Sequence, residues 1–331
     1  MTKAAVVVLK ADSRIGTGHL MRVRGLLPYL EEFKFSLISD SFDPSLLKLC
    51  PEFKQLSVCK KAELATVIAS HPAKLFIFDH YFTDETEERA ARSHAKVVVI
   101  DDLANRRHCC DLLFDQGLQR QCRDYATLVN PDAQICCGAA CSMVREIFAS
   151  IPRPPLTSQR RVLVNYGGAD PAGACLKCMR SVLKAGLNQE YFFEVIAGAV
   201  NPDFGKLHTL LEDRPNCSLR RHCSKIPELM GQCHLACGAY GGMFSERICA
   251  GLPALNTVVA QDNQYMGPEI LKKYDLGIDL SLSELESPKT VACALHELDR
   301  NQEHFSQNCR ALLDGQGLRR MAAAIKELFS T

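Results

Sequence analysis

Residues 4–22 read Ala4-Ala5-Val6-Val7-Val8-Leu9-Lys10-Ala11-Asp12-Ser13-Arg14-Ile15-Gly16-Thr17-Gly18-His19-Leu20-Met21-Arg22. The apolar run from Ala4 to Leu9 predicts a strand buried on both faces. Leu20, Val23, Leu26, Leu27 and Leu30 then recur at helical spacing. A glycine-bearing loop between a strand and a helix lets backbone N–H groups approach an anion at the helix's positive end. Asp12, Gly16 and Gly18 are the binding candidates of this stretch, with His19 at the mouth of the loop. No Gly-Lys-Ser/Thr closes the loop, so it is not a Walker loop, and the third glycine of the dinucleotide fingerprint is missing. The same residues would also make a tight turn capping a core histidine. Pro28 should kink or shorten the helix.

The segments that follow alternate in type. Phe35–Ser39, Leu75–Phe78, Lys96–Ile100 and Leu112–Phe114 read as strands, and Glu63–Ser70 and Asp84–His94 as helices. Such alternation predicts a parallel sheet covered by helices, which binds ligands at the carboxyl ends of its strands. Polar clusters stand there: Asp12 after the first strand, Asp79-His80-Tyr81 after Phe78, and Asp101-Asp102 after Ile100. Of the last pair, one carboxylate should cap or bond the backbone and the other face the cleft.

Residues 149–160 carry Pro152, Pro154 and Pro155 and read as a linker. A second alternating series starts with strand Arg161–Asn165, the turn Tyr166-Gly167-Gly168-Ala169-Asp170, and a helix from Gly173 to Leu183. Strands follow at Phe192–Ala197, Ser218–Arg220, Cys233–Cys237 and Ala254–Val259, with helices near Phe204–Leu211 and Ile226–Met230 and another ending at Ala250. Gly167-Gly168 and Gly241-Gly242 both precede helices and would present N–H groups to phosphate oxygens. Glu246, one turn into its helix, suits ribose hydroxyls; it also suits the helix dipole alone. Asp170 reads equally as a helix cap, and Gln264 closes a polar Asp262-Asn263-Gln264 cluster at a strand end. The prediction is α/β: two doubly wound, Rossmann-like domains with a cleft between them. Their limits are 1–150, a linker at 151–160, and 161–331.

With 331 residues, two domains are expected. A net charge of +1 gives no broad field to recruit nucleic acid or anionic membrane. The apolar runs are far too short for a membrane span, and the first nine residues do not form a signal peptide. The expected compartment is the cytoplasm. Seventeen cysteines without an export signal then read as reduced thiols in small apolar sites. Cys175-x-x-Cys178 and Cys233-x-x-x-Cys237, which brackets His234, lack partner pairs at zinc spacing and read as core.

Taken together, several motifs resemble the UDP-2,4-diacetamido-2,4,6-trideoxy-β-L-altropyranose hydrolases of pseudaminic acid biosynthesis. They are Ile15-Gly16-Thr17-Gly18-His19-x-x-Arg22, Asp79-His80-Tyr81, Ile100-Asp101-Asp102-Leu103-Ala104, Arg107-His108-x-x-Asp111-Leu112-Leu113-x-Asp115-Gln116, Asp124-Tyr125, Val144-Arg145-x-x-Phe148, Gly167-Gly168-x-Asp170 and Asp262-Asn263-Gln264. Their order and spacing cover residues 4–265. The resemblance implies a GT-B fold and hydrolysis of the UDP-sugar by water at the anomeric carbon, with inversion and without metal or other cofactor. It implies His19 as acid/base, Tyr81 and Asn263 as residues orienting sugar or water, and Gly241, Gly242 and Glu246 as the UDP site. Asp12, Gly16, Gly18, Arg22, Asp79, His80, Gly167, Gly168, Asp170 and Gln264 complete the expected substrate-binding set. The chain departs from the family in Lys10, in a shorter loop from Asp12 to Gly16, and in Gly242-Met243-Phe244-Ser245, where relatives often carry hydroxyls. The expected partners are a small nucleotide sugar and water, with no nucleic acid and no membrane span; the oligomeric state stays open. Two alternatives share these residues: a GT-B glycosyltransferase for cell-envelope glycans, and a nucleotide-sugar-binding protein without chemistry.

Overall fold

The computed structural model describes residues 3–12, 18–155, 159–198, 200–260 and 264–330. Gly16 and Asn263, both expected site residues, lie outside them. The chain divides into two compact units, residues 1–145 with 316–331, and residues 146–315.

The first unit holds strands β1 (Lys3–Leu9), β2 (Phe33–Ser39), β3 (Leu56–Val58), β4 (Leu75–Asp79), β5 (Lys96–Asp101), β6 (Leu112–Asp115) and β7 (Gln134–Cys137). They form one parallel sheet in the order β3-β2-β1-β4-β5-β6-β7. Successive side chains of a strand face opposite sides, and β1, β4 and β5 are apolar through their middles. Val7, Leu9, Ile77, Val98 and Ile100 enter one core, while Val6, Val8, Phe76, Phe78, Val97 and Val99 enter the other. Helix α1 (Gly18–Leu26) covers the first face through Leu20, Val23 and Leu26. Helices α2 (Leu64–Ser70) and α3 (Glu85–Arg92) cover the second through Leu64, Ile68 and Ala91. Pro28 acts as expected: α1 stops at Leu26, and Leu27–Tyr29 tightens into a 3-10 turn.

The second unit forms a parallel sheet in the order β10-β9-β8-β11-β12-β13. Its strands are β8 (Arg160–Asn165), β9 (Tyr191–Ile196), β10 (Cys217–Arg220), β11 (Leu235–Ala239), β12 (Ala254–Thr257) and β13 (Gly277–Asp279). The helices are α4 (Ala174–Lys184), α5 (Phe204–Leu211), α6 (Ile226–Met230), α7 (Gly242–Ala250), α8 (Gly267–Tyr274), α9 (Pro288–Arg300) and α10 (Gln302–Leu312). α4, α5 and α9 share one core with the sheet, and α10 packs on α7. Cys175, Cys178 and Cys237 line that core.

Three differences from the sequence reading stand out. The strand expected at Cys233–Cys237 runs instead over Leu235–Ala239; His234 just before it is buried, its Nε2 3.2 Å from the Pro155 carbonyl and its Nδ1 accepting from Arg161 N–H at 3.1 Å. The short strands β3, β7 and β13 lack the apolar runs of the central strands and take their conformation from pairing at sheet edges. The C-terminal helix α11 (Gly317–Glu327), expected in the second domain, belongs to the first unit. Its stripe of Leu318, Met321, Ala322 and Ile325 completes the α1 side of the first core. Among the described residues, no helix is long and apolar enough to cross a membrane.

Candidate functional site

In the first unit the strand order reverses between β1 and β4, the position where doubly wound sheets bind ligands. His19, the second residue of α1, and Asp79, the last of β4, meet there, with His19 Nδ1 2.5 Å from Asp79 Oδ1. Arg22 stands three residues after His19, so both lie on one face of α1. Its Nε donates to Asp79 Oδ2 at 2.6 Å, Nη2 donates to Asp79 Oδ1, and Nη1 donates to Asp102 Oδ2 at 2.9 Å. Arg22 Nη2 also lies 3.1 Å from His19 Nδ1, but a guanidinium only donates and this nitrogen already serves Asp79. The nearer carboxylate therefore assigns the Nδ1 proton. Nε2 has no hydrogen-bond partner among the described residues.

Burial alone would raise the pKa of Asp79, but Arg22 and His19 outweigh it and hold the carboxyl at about 2. Burial would likewise lower the Arg22 pKa, and Asp79 and Asp102 raise it further. Tyr81 sets its ring edge-on to His19, with centroids 4.5 Å apart, and its hydroxyl donates to Asp102 Oδ2 at 3.2 Å. Burial and the Asp102 charge push the phenol's pKa up, so Tyr81 stays a neutral donor. Asp102 Oδ1 is buried and unpartnered among the described residues, leaving an acceptor for a donor brought by a ligand. A carboxylate that fixes one imidazole nitrogen and stabilises the imidazolium leaves the other nitrogen to act as a base. That is the chemistry this cluster can perform.

Of the pair Asp101 and Asp102, Asp101 is the one that bonds the backbone. Asp101 accepts from Ala104 N–H at 2.8 Å, from Tyr125 Oη–H at 2.8 Å and from Arg106 at 2.7 Å, so it anchors the loop that offers Asp102. Arg106, which the sequence reading missed, also donates to the Thr83 and His80 carbonyls and ties the Tyr81 loop to β5. No local pattern marks it, because its partners lie up to 26 residues away. His80 is not part of the His19 cluster. Phe82 N–H donates to its Nδ1 at 3.0 Å, so the proton sits on Nε2, which donates to Asp40 at 2.9 Å. Burial holds its pKa down, and the ring is a neutral support of the loop. Asp12 accepts from the Ser41 hydroxyl at 2.6 Å. A Cβ at Gly18 would meet nothing within 4 Å among the described residues.

The second unit reverses strand order between β8 and β11. Asn165 of β8 pairs with Gly238 of β11, and the two expected glycine turns leave the sheet just beyond this pair. Among the described residues, a Cβ at Gly167, Gly168 or Gly242 would meet nothing within 4 Å. Gly167, at φ +99°, is shaped by its own N–H, which donates to Asn165 Oδ1 at 3.1 Å. Asp170 serves the fold rather than standing open to a ligand: its buried carboxylate accepts from Ala174 and Cys175 N–H, both at 2.9 Å, and fills the α4 N-terminus. α7 differs, because Gly241 precedes it with no side-chain cap and its first turn holds no acidic residue. Glu246 follows Gly242 by four residues and lies on the same face of α7. Gln264 accepts from Val259 N–H at 3.0 Å, and its Nε2 is 3.9 Å from where a Gly241 Cβ would stand. Gly241, Gly242, Glu246 and Gln264 thus gather around the start of α7. Among the described residues, no three His, Cys, Asp or Glu side chains converge as metal ligands would.

No family model matches the sequence, and no curated protein does. Solved structures do match in fold over nearly the whole chain. MurG from Acinetobacter baumannii is 10% identical, with 98% of this chain and 99% of that one covered at a TM-score of 0.71. The UDP-GlcNAc 2-epimerase from Neisseria meningitidis, solved bound to UDP-GlcNAc, is 13% identical, with 98% and 100% covered at 0.62. CalG4, the calicheamicin glycosyltransferase, is 12% identical, with 98% of each chain covered at 0.63. Two doubly wound parallel sheets in this order, matched end to end by these structures, give the chain a GT-B-type fold.

Proposed function

We propose that this chain is a UDP-sugar hydrolase that cleaves UDP-2,4-diacetamido-2,4,6-trideoxy-β-L-altropyranose to UDP and the free sugar. The observation that carries the proposal is His19, held through Nδ1 by a buried, ionised Asp79 with Nε2 left for chemistry. Water attacks the anomeric carbon, its proton passes to His19 Nε2, and the C–O bond to the diphosphate breaks with its electron pair leaving on UDP. The carbon inverts. Tyr81 and Asp102 orient the sugar or the water, together with Asn263. The uncapped start of α7 receives the diphosphate, Glu246 the ribose hydroxyls, and Gln264 supports the turn. The sequence motifs support this substrate, and fold neighbours that act on UDP-GlcNAc support a UDP-sugar.

A glycosyltransferase using the same nucleotide sugar is the second reading, favoured by the neighbours named as glycosyltransferases. The test incubates the protein with the UDP-sugar and EDTA, without acceptor, and follows UDP and free sugar by NMR. Release of both products is expected, with a loss of at least about a hundredfold in His19→Ala, since positioned general bases contribute on that scale. Intact UDP-sugar, bound but unturned, would reject the hydrolase in favour of the transferase or a binding protein.

A further inference from the structure

Arg247 lies in the middle of α7 at 2% exposure and is the largest fully buried side chain among the described residues. Its Nη2 donates to the Ala239 carbonyl at 2.8 Å and to Asn256 Oδ1 at 2.7 Å. Both acceptors are neutral. Nε has no partner among the described residues, and no carboxylate there forms an ion pair with Arg247. Glu246, its chain neighbour, acts on it only through space. Burial pulls the guanidinium's pKa down to about 10, which still leaves it charged at neutral pH.

The position of this charge is specific. A Cβ on Gly238 would stand 2.6 Å from Nη1 and 2.6 Å from the Asn165 carbonyl, so the guanidinium rests on the β8–β11 pair at the switch point. Ala239, whose carbonyl it binds, leads directly into Tyr240-Gly241-Gly242. A buried cation with no opposite charge is strongly unfavourable. A charge retained in that place asks for an anion that arrives from outside the chain. The open space at Gly167, Gly168 and Gly242 is where an anion would be received.

We propose that Arg247 is a buried positioning charge for the diphosphate of the bound nucleotide, acting through the Gly241-Gly242 turn that it supports from behind. The proposal rests on the reading that the second unit takes UDP. In it, the turn's N–H groups touch the phosphate oxygens, and the guanidinium supplies the full charge that N–H dipoles lack. Arg247 is buried, so its attraction for the phosphate is weakly screened.

The test is calorimetric titration of wild type, Arg247→Met and Arg247→Gln with UDP, uridine and inorganic pyrophosphate, alongside thermal melts. Both neutral variants should raise the Kd for UDP at least about tenfold, weaken pyrophosphate in parallel and leave uridine unchanged. Both variants lose hydrogen bonds to Ala239 and Asn256 and should melt lower, Met more than Gln, whereas Arg247→Gln, which keeps a donor but no charge, should bind UDP no better than Arg247→Met. Unchanged UDP binding in a folded variant overturns the proposal, and so does equal loss of UDP and uridine, which would mark a structural role. Wild type that binds pyrophosphate but not UDP would reject the nucleotide reading while leaving Arg247 as an anion-site charge. Wild type that binds neither rejects both.

Discussion

Asp79→Asn should abolish most activity and destabilise the first unit at the same time. Asp79 is fully buried, and both its oxygens accept charged or ring N–H donors. An amide presents one oxygen and one NH2 group. Whichever way it turns, either His19 Nδ1–H or the Arg22 fork faces a donor, so the imidazole loses its tautomer or the cation loses its partner. When an aspartate that holds a catalytic histidine becomes asparagine, turnover falls by about ten-thousand-fold, and the same order is expected here in UDP release. Removing one partner of a buried ion pair costs roughly 3–5 kcal/mol, a loss to be read in urea denaturation; Asp102, which still binds Arg22, should keep it at the low end. The pH dependence separates the two effects. The folded Asp79 carboxyl is held at about 2, below its ordinary 3.8, so its stabilisation is present above pH 4 and is lost as pH falls toward 2. A depression of that size corresponds to about 2 kcal/mol. Wild type should therefore lose stability more steeply than Asp79→Asn across this window; parallel curves would show that the carboxylate is not held as described.

Gly198→Ala should be the most disruptive single-methyl change near the second-unit site. Gly198 has φ +79°, and a Cβ there would stand 2.3 Å from the Gly168 carbonyl oxygen and 2.6 Å from that of Gly167. Those neighbours are backbone, so relief requires the Gly167-Gly168 turn itself to move. The left-handed conformation alone costs an alanine roughly 1–2 kcal/mol, and the clash brings the total to roughly 3 kcal/mol or more. For a unit of this size that is a fall of roughly 6–12 °C in melting temperature. UDP affinity should fall with it. Gly205→Ala is the control: it lies in α5, meets nothing within 4 Å, and should leave both quantities unchanged or slightly raise stability. A Gly198→Ala protein that melts with wild type would show that the two loops do not approach each other this closely.

Much of the architecture is legible in the chain because its causes are local. Doubly apolar runs such as Val6–Leu9 can only be buried on both faces, and helical stripes between them require crossovers, so parallel sheets follow. Pro28 ends α1 because its ring and missing N–H act within one turn. The glycine turns and the division of labour between Asp101 and Asp102 are likewise readable, since loops at strand ends are where such residues have work to do. The composition of the sites was decided by contacts between residues far apart in sequence. Arg22 finds Asp79 across 57 residues and Asp102 across 80, and no spacing rule connects them. The same motif sends Asp79 into the cluster and turns His80 away to Asp40. Asp170 could have faced a ligand, but the free N–H groups of α4 were nearer. The last helix joins the first unit because its apolar stripe fits an uncovered part of that sheet. An amphipathic pattern states that a face must be buried and is silent about which surface buries it. Arg247 is the sharpest case: in sequence it is one more charged residue beside Glu246, and only the closing of β8 against β11 makes it a buried charge with no ion-pair partner among the described residues.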